Sequence, residues 1–368
     1  MKAQPYLIRD FRGGRVSPDS ISSFLAPENS VKNSINVNFD EIIGSAKVRP
    51  GTVKLGATVA SAKTPLGLFN FIGKNGTPNY LLAVFTGVSN GTLYYYDTSW
   101  HTSSPGLGGG TWSNTLKNRF ASLGGRVFVT NTSNGMVDSV DALTFVTTNS
   151  IGTYKPALVY RYAARLLAAG DPTYPDRLFF SSVIDPTTSP LITWNVNTTT
   201  GDWIDINPDD GGYITGFSEA STFLLVFKTT GMYRVDTLSK TTSPNNIFNV
   251  GAVSQEAITL CQGVTYYFSG LDIRRTNGGY SEQISRLGVQ DFIDAIPYAN
   301  WSSVALGTDQ LNVYVSIGTV TLNKNQDNER MHTNVVLKFS PRDQTWSPHS
   351  YADTFKFLVP FTTTVTTL

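Results

Sequence analysis

Residues Tyr160–Ser182 read YRYAARLLAAGDPTYPDRLFFSS, and Ile214–Asp236 read ITGFSEASTFLLVFKTTGMYRVD. Each stretch holds a short apolar run, a turn built on Gly or Pro, and a second run that alternates apolar with polar residues. Leu166–Ala169 and Arg177–Ser182 form the first pair; Phe223–Phe227 and Gly231–Asp236 form the second. Runs of about 4–6 Leu, β-branched or aromatic residues, bounded by Gly-Asp-Pro or Thr-Thr-Gly, have the size of strands and are too short for helices. The unit is an antiparallel hairpin.

The hairpin recurs along the chain. Leu82, Phe128, Leu167, Leu225, Tyr267 and Tyr314 mark six leading runs. Thr92–Asp97, Leu143–Thr147, Arg177–Ser182, Gly231–Asp236, Asp272–Asn277 and Asn334–Ser340 follow them. The leading runs lie roughly 40–60 residues apart, the spacing of propeller blades rather than of a solenoid. The longest interval contains the loop around Thr187–Gly201. The expected fold is an all-β propeller of about six antiparallel blades, spanning residues 57–368, with an extended N-terminal arm over residues 1–56 and one short helix. Leu167, Phe179, Leu225 and Tyr267 are the expected blade-core residues.

The arm does not fit the repeat. Gly13-Gly14 opens backbone conformations closed to other residues. Val31–Phe39 alternates as a strand, and Arg49-Pro50-Gly51 has the adjacent Pro and Gly of a type II turn. The helix is expected at Ser285–Ile296, with Ser285 as its cap and Leu287, Phe292, Ile293 and Ile296 on its apolar face. The chain stops at FTTTVTTL, a strand-like run that either marks a fragment or closes the ring against the arm.

Composition narrows the function. The net charge is +1, and only 15% of residues are charged. A protein that grips DNA normally carries a basic face or a high pI. The single cysteine, Cys261, excludes an intrachain disulfide framework and reads as a small buried hydrophobe. No apolar run approaches a membrane span, and Met1–Asp10 lacks the apolar core of a secretory signal.

Candidate chemistry is sparse. The histidines His101, His332 and His349 are expected in loops or at strand ends. No HExxH, paired Cys or GxSxG motif occurs, and Gly106–Gly110 is not followed by the Lys-Ser/Thr of a phosphate loop. Asp205, Asn207 and Asp209 alternate as in a calcium loop, but Asp210 stands where Gly belongs and Gly216 where the bidentate Glu belongs. Their other reading is an inter-blade turn. Arg161, Arg165 and Arg177 are expected to pair or to be solvated at strand ends. Tyr94–Tyr96 alternate between sheet faces, as blade packing or as a stacking platform. Trp346, beside Asp343 in an incomplete Asp-box with Gln344 near the Gly position, is expected to pack a blade. No catalytic residue, cofactor or metal ligand is assigned.

The arm and the blade motifs together resemble the tail nozzle (tail tubular protein B-like) proteins of tailed phages. More loosely, they are similar to the head-completion and tail-stabilisation proteins of short-tailed phages. In the arm the resemblance rests on Ile8 and Phe11 before Gly13-Gly14, the Ser17-Pro18 step, the Asn-rich strand Asn33–Asn38, Gly44, Lys47 and Arg49-Pro50-Gly51. It extends through ARLLAAGDPTYPDRLFFSS, GGYITGFSEASTFLLVFKTTGMYRVD and GVTYYFSGLDIRRTNGGYSEQIS, and so touches most of residues 7–296. Nozzle proteins are often much longer and carry inserted domains that this chain lacks.

The resemblance implies a non-enzymatic virion structural protein, a tail nozzle or head-to-tail completion component. Its partners would be itself as a ring, expected to be hexameric, the portal, adaptor or other tail proteins, and double-stranded DNA passing through the lumen. Its place would be the phage tail or neck, after assembly in the host cytoplasm. The near-neutral charge suits a conduit, since each Lys or Arg contact to phosphate adds salt-dependent affinity. The assembly arm would act through Arg9, Arg12, Gly13, Gly14, Arg15, Lys47, Arg49, Pro50 and Gly51, its five cations meeting acidic surface. The alternative is a carbohydrate-binding or carbohydrate-cleaving propeller serving as a receptor-binding appendage, with Trp100, Trp112, Trp194 and Trp203 supplying sugar platforms.

Overall fold

The structure is a computed structural model that describes residues 10–17, 29–31, 34–41, 45–59, 63–102, 106–107, 112–147, 150–184, 192–220, 222–324, 327 and 329–361. The chain is all-β, with six antiparallel sheets that are the blades of a six-bladed β-propeller. It divides into two compact units. One comprises the chain up to Thr52 together with Glu256–Leu358; the other comprises Val53–Gln255 and the chain from Val359.

In the first unit the arm supplies β1 (Val37–Asn38) and β2 (Lys47–Val48), which pair antiparallel. In the second unit the first blade is β3 (Pro65–Ile72), β4 (Asn79–Phe85), β5 (Thr92–Tyr96) and β6 (Trp100–Thr102). A short strand β7 (Gly106–Leu107) precedes the second blade, β8 (Arg119–Leu123), β9 (Arg126–Asn131) and β10 (Gly135–Ser139). β11 (Thr144–Phe145) pairs parallel with β7, and Val146 bridges back to Asp138 on β10. The third blade is β12 (Leu158–Tyr162), β13 (Arg165–Ala169), β14 (Arg177–Phe180) and β15 (Trp203–Asp205). The fourth is β16 (Ile214–Ala220), β17 (Phe223–Lys228), β18 (Met232–Val235) and β19 (Asn245–Phe248). Back in the first unit, the fifth blade is β20 (Ile258–Cys261), β21 (Val264–Phe268), β22 (Ile273–Thr276) and β23 (Ser281–Gln283). The helix α1 (Gln290–Asp294) follows, then the sixth blade, β24 (Ala305–Thr308), β25 (Val313–Leu322), β26 (Arg330–Ser340) and β27 (Thr345–Ser350).

The six marker residues all fall on the second strand of their sheets: Leu82 on β4, Phe128 on β9, Leu167 on β13, Leu225 on β17, Tyr267 on β21 and Tyr314 on β25. The pleat explains why these strands read as unbroken apolar runs. Successive side chains point to opposite faces, so a strand buried on both faces needs no polar alternation. On β13, Leu167 and Ala169 pack with Leu224 and Val226 of the fourth blade. Leu166 and Ala168 pack with Phe128 and Met136 of the second. On β9, Val127 and Val129 pack with Leu82 and Val84 of the first blade, and Phe128 faces the third. Leu167, Phe179, Leu225 and Tyr267 are all buried, as is Cys261.

Several local readings differ from the structure. Leu143–Thr147 takes the fourth position of the second blade, not the third. The third is GMVDS, whose Asp138 is buried because Arg126 pairs with it. The helix starts after Gly288 rather than at Ser285. A Cβ on Gly288 would lie 2.2 Å from the Trp346 ring, so a turn that packs against Trp346 precedes the helix. Ser285 does not cap it: its hydroxyl donates to Gln290 Oε1 (2.7 Å) and accepts from Ile273 N (3.2 Å). Leu287 is exposed, while Phe292, Ile293 and Ile296 are buried.

The arm strand is shorter than Val31–Phe39. Asn36 takes a left-handed backbone (φ 61°), which ends extended structure, and among the described residues of this stretch only Val37–Asn38 pairs as a strand. Val31 forms an isolated parallel bridge with Arg15. The histidines lie near strand ends: His101 in β6, His332 two residues into β26 and His349 next to the last residue of β27. FTTTVTTL lies outside the described residues beyond Phe361, as do Ile8, Pro18, Asn33 and Gly44.

Trp346 packs as expected, with its ring 4.7 Å from that of Phe339 and its Nε1 donating to Ile284 O at 3.0 Å. Gln344, at the Gly position of the incomplete Asp-box, has φ 54°. Its main-chain N–H donates to Ser340 O (2.8 Å), and its Oε1 accepts from Arg275 (3.1 Å), which holds the unfavourable conformation in place.

Candidate functional site

The arm lies against the sixth blade and α1 of its own unit through two anchors, which engage Gly13, Gly14, Arg15 and Arg49 among the arm residues singled out in the sequence. The first anchor is Arg15. Val16 N donates to Val31 O (2.9 Å), Val31 N to Gly14 O (2.8 Å) and Ser17 N to Leu287 O (2.8 Å). These bonds fix the backbone on either side of Arg15. Its guanidinium forms a fork with Asp291 on α1, with Nη1 3.0 Å from Oδ1 and Nη2 on Oδ2, and Nη1 also donates to Gly288 O. Both side chains are buried, and the guanidinium lies 4.7 Å from the Phe292 ring centre. Gly13 and Gly14 permit this approach: a Cβ on Gly13 would meet Asn29 at 2.7 Å, and Gly14 has φ 57° with Thr345 against it.

The second anchor is Arg49. Its Nε donates to Asn36 Oδ1 (2.9 Å), its Nη2 donates to Ser350 O (2.9 Å), and it lies over the Tyr351 ring at 4.2 Å. Asn36 completes the contact, donating its N–H to Pro348 O (2.8 Å) and accepting from Ser350 N (2.9 Å). The left-handed turn at Asn36 therefore directs polar groups at the outer edge of β27, and an edge otherwise open to pairing is covered.

Between the anchors, Asp40 meets Lys338 at 2.7 Å, and His349 Nε2 lies 2.9 Å from Asn38 Oδ1. Burial, helped by the positive Arg49 and Lys338, pushes the His349 imidazole down to about 4. Burial also lowers His332, with the Arg15 and Arg330 charges adding to it.

Sequence reasoning named one side of this contact and missed the other. Arg15 and Arg49 are bound within their own unit. Arg12 is exposed and pairs with Asp10, and Lys47 is exposed 3.4 Å from Glu41. Pro50 and Gly51 are exposed, and Arg9 lies outside the described residues. The receiving residues Asp291, Lys338 and His349 carried no signal, because each sits singly in an apolar or mixed run. Only the Asn-rich character of Asn36–Asn38 hinted at the arm's side of the polar contact.

Other polar groups engage one another without converging. Among the described residues no group of three or more His, Cys, Asp or Glu side chains could hold a metal ion. Ser99, His101 and Asp97 form an exposed cluster, but Ser99 Oγ (2.9 Å) and Asp97 Oδ1 (3.2 Å) both meet Nε2 of His101. A catalytic triad needs the acid on one ring nitrogen and the nucleophile on the other. Asp97 instead closes a turn, its carboxyl held near 2 by the Thr98 and Ser99 main-chain N–H groups.

The tryptophans proposed as sugar platforms have partners. Trp112 is buried. Trp100 donates to Leu55 O (3.1 Å) and packs edge-on to Tyr96. Trp203 has Arg177 3.6 Å and Lys240 4.0 Å from its ring centre, and Arg177 is itself held by Asp205 at 2.8 Å. Trp194 packs against the core between the second and third blades. No described helix is long and apolar enough to cross a membrane.

No protein-family model and no curated protein matches the chain. Similar solved structures include a fungal alcohol oxidase of the AA5 family in complex with copper, at 9% identity and TM-score 0.49, covering 82% of this chain and 68% of the oxidase. Apo AztD from Citrobacter koseri is similar at 10% identity and TM-score 0.45, covering 88% of this chain and 94% of AztD. The computationally designed protein Ika8 is similar at 9% identity and TM-score 0.41, covering 81% and 99%. At such identities and scores the likeness carries no functional argument.

Proposed function

We propose that the chain is a structural protein of a tailed-phage virion, a tail nozzle or head-to-tail completion component that assembles as a ring and conducts DNA without reading its sequence. The observation that supports this reading is the arm. Among the residues that carry the phage resemblance, Gly13-Gly14, Asn36 and Arg49 help to seat the arm, beside Arg15. An arm seated this way covers a sheet edge and leaves Arg12, Lys47, Pro50 and Gly51 exposed for a neighbouring tail protein. Labelling the chain in intact particles and imaging them by cryo-electron microscopy tests the proposal. Density at the neck or tail axis is the expected result, and its absence from purified virions would overturn the reading.

A further inference from the structure

Two of the chain's three histidines, His332 and His349, lie at the arm's seat, one at each anchor. At the first anchor the His332 ring packs on Phe292 with centres 5.4 Å apart, and the Arg15 guanidinium lies 4.7 Å from the centre of the same ring. The charged groups that act on His332 are Arg15 of the arm, Arg330 of its own strand β26 and Asp291 of α1. Asp291 is already committed to Arg15. A proton on His332 adds a third cation beside a carboxylate that is already engaged.

At the second anchor His349 is buried on β27, and its Nε2 lies 2.9 Å from Asn38 Oδ1. Asn38 Nδ2 donates to Glu41 Oε1 (2.9 Å), which turns the amide oxygen towards the imidazole. An amide oxygen only accepts, so Nε2 carries the hydrogen and the neutral ring keeps its lone pair on Nδ1. The His349 ring lies 6.4 Å from that of Tyr351, over which Arg49 stacks. Arg49 and Asp40 of the arm and Lys338 of β26 act on His349, and Asp40 is paired to Lys338 at 2.7 Å. Here too a proton adds a third cation, and the facing carboxylate is already engaged.

We propose that the arm is an acid-released latch: protonation of His332 and His349 repels Arg15, Arg49 and Lys338 and unseats the arm from α1 and β27 while the blades stay folded. Unseating removes the Asn36 contacts to Pro348 and Ser350, so the outer edge of β27 opens to another strand as the arm comes free. The apolar clusters between the second, third and fourth blades contain no histidine, so mild acid leaves them in place. The inference does not depend on the assembly reading.

The direction follows from linkage. Burial, with the neighbouring cations, lowers both imidazoles while the arm is seated, His349 to about 4. A solvated imidazole titrates at about 6.5. The released state therefore takes the proton first, and the latch weakens as pH falls from about 6.5 towards 4.

Hydrogen exchange of the full chain at about pH 7 and about pH 5, corrected for the intrinsic rate, tests the proposal. Peptides containing Ser17 and Asn36, whose amides donate to Leu287 O and Pro348 O, report the seat, and peptides of β17 report the blades. In wild type the arm is expected to lose roughly tenfold or more of its protection at the lower pH, while β17 keeps its own. The double variant His332→Gln, His349→Gln should keep its arm protected at both. Unchanged protection of the wild-type arm, or a double variant that loses as much as wild type, would overturn the proposal. Should the double variant not fold, the wild-type imidazole proton resonances are titrated beside that of exposed His101. His332 and His349 titrating in step with the loss of arm protection support the latch, and titration with the arm still protected overturns it.

Discussion

The joints between blades two, three and four and the seat of the arm are both buried, but they are held by different forces. The joints are apolar and periodic, each blade face contributing alternate residues such as Leu167 against Leu224 and Phe128 against Leu166. The arm's seat is polar and aperiodic, built on Arg15–Asp291, Arg49–Ser350, Asp40–Lys338 and Asn38–His349. Apolar burial is non-directional and tolerates small shifts of partner. A buried ion pair is directional, and removing one member leaves the other charge stranded. The blades should therefore yield gradually to substitution and the arm abruptly.

The largest expected effect is at the arm. Arg15→Ala should destabilise the protein by about 3–5 kcal/mol, because Asp291 is left buried and unpaired. Urea unfolding of Arg15→Ala beside Lys47→Ala checks this. Lys47 belongs to the same arm, but its ion pair is exposed, so its loss should be under ~1 kcal/mol. Equal effects for the two would erase the distinction between seat and surface. Next, Leu167→Ala should cost about 2–5 kcal/mol through the cavity it leaves. A loss under ~1 kcal/mol would show that the joint closes over the gap and would weaken the pleat assignment.

The smallest effect sharpens the contrast through pH. The His349 imidazole titrates near 4 in the folded chain and near its ordinary value of about 6.5 when unfolded. The unfolded state therefore binds the proton first as pH falls. The contribution of neutral His349 is complete above pH ~6.5 and is lost progressively down to pH ~4, about 3 kcal/mol at most. Urea midpoints between pH 7 and 4 should fall more steeply for wild type than for His349→Gln. Parallel slopes would remove His349 from the account. His332, lowered in the same direction, leaves a residual slope in the variant.

The same contrast explains what could be read from the sequence. The blades were legible because a strand buried on both faces writes an unbroken apolar run, and six such runs at blade spacing name the repeat. The arm's cations were legible as cations, but their partners were not. Asp291 lies within an amphipathic turn, Lys338 within the strand VVLKF and His349 beside Pro348. Nothing local distinguishes a carboxylate that receives a guanidinium 276 positions away from one that faces water. Asn36 was read as one more strand residue because its left-handed backbone is imposed by polar contacts to β27. The loop Asp205–Gly212 was readable as an inter-blade turn with an incomplete calcium-loop pattern; that Asp210 receives Lys228 depends on packing between residues 18 positions apart.

The arm's two anchors also set an order of events. Arg15 meets Asp291 across 276 positions, and Asn36 meets Ser350 across 314. At about 5–20 residues per second of synthesis, the arm emerges roughly 15–60 s before the residues that receive it. For that interval Arg15 and Arg49 lack the residues that receive them. The arm is made well before its seat, and a chain that stalls before Gly288 carries Arg15 without the Asp291 that receives it.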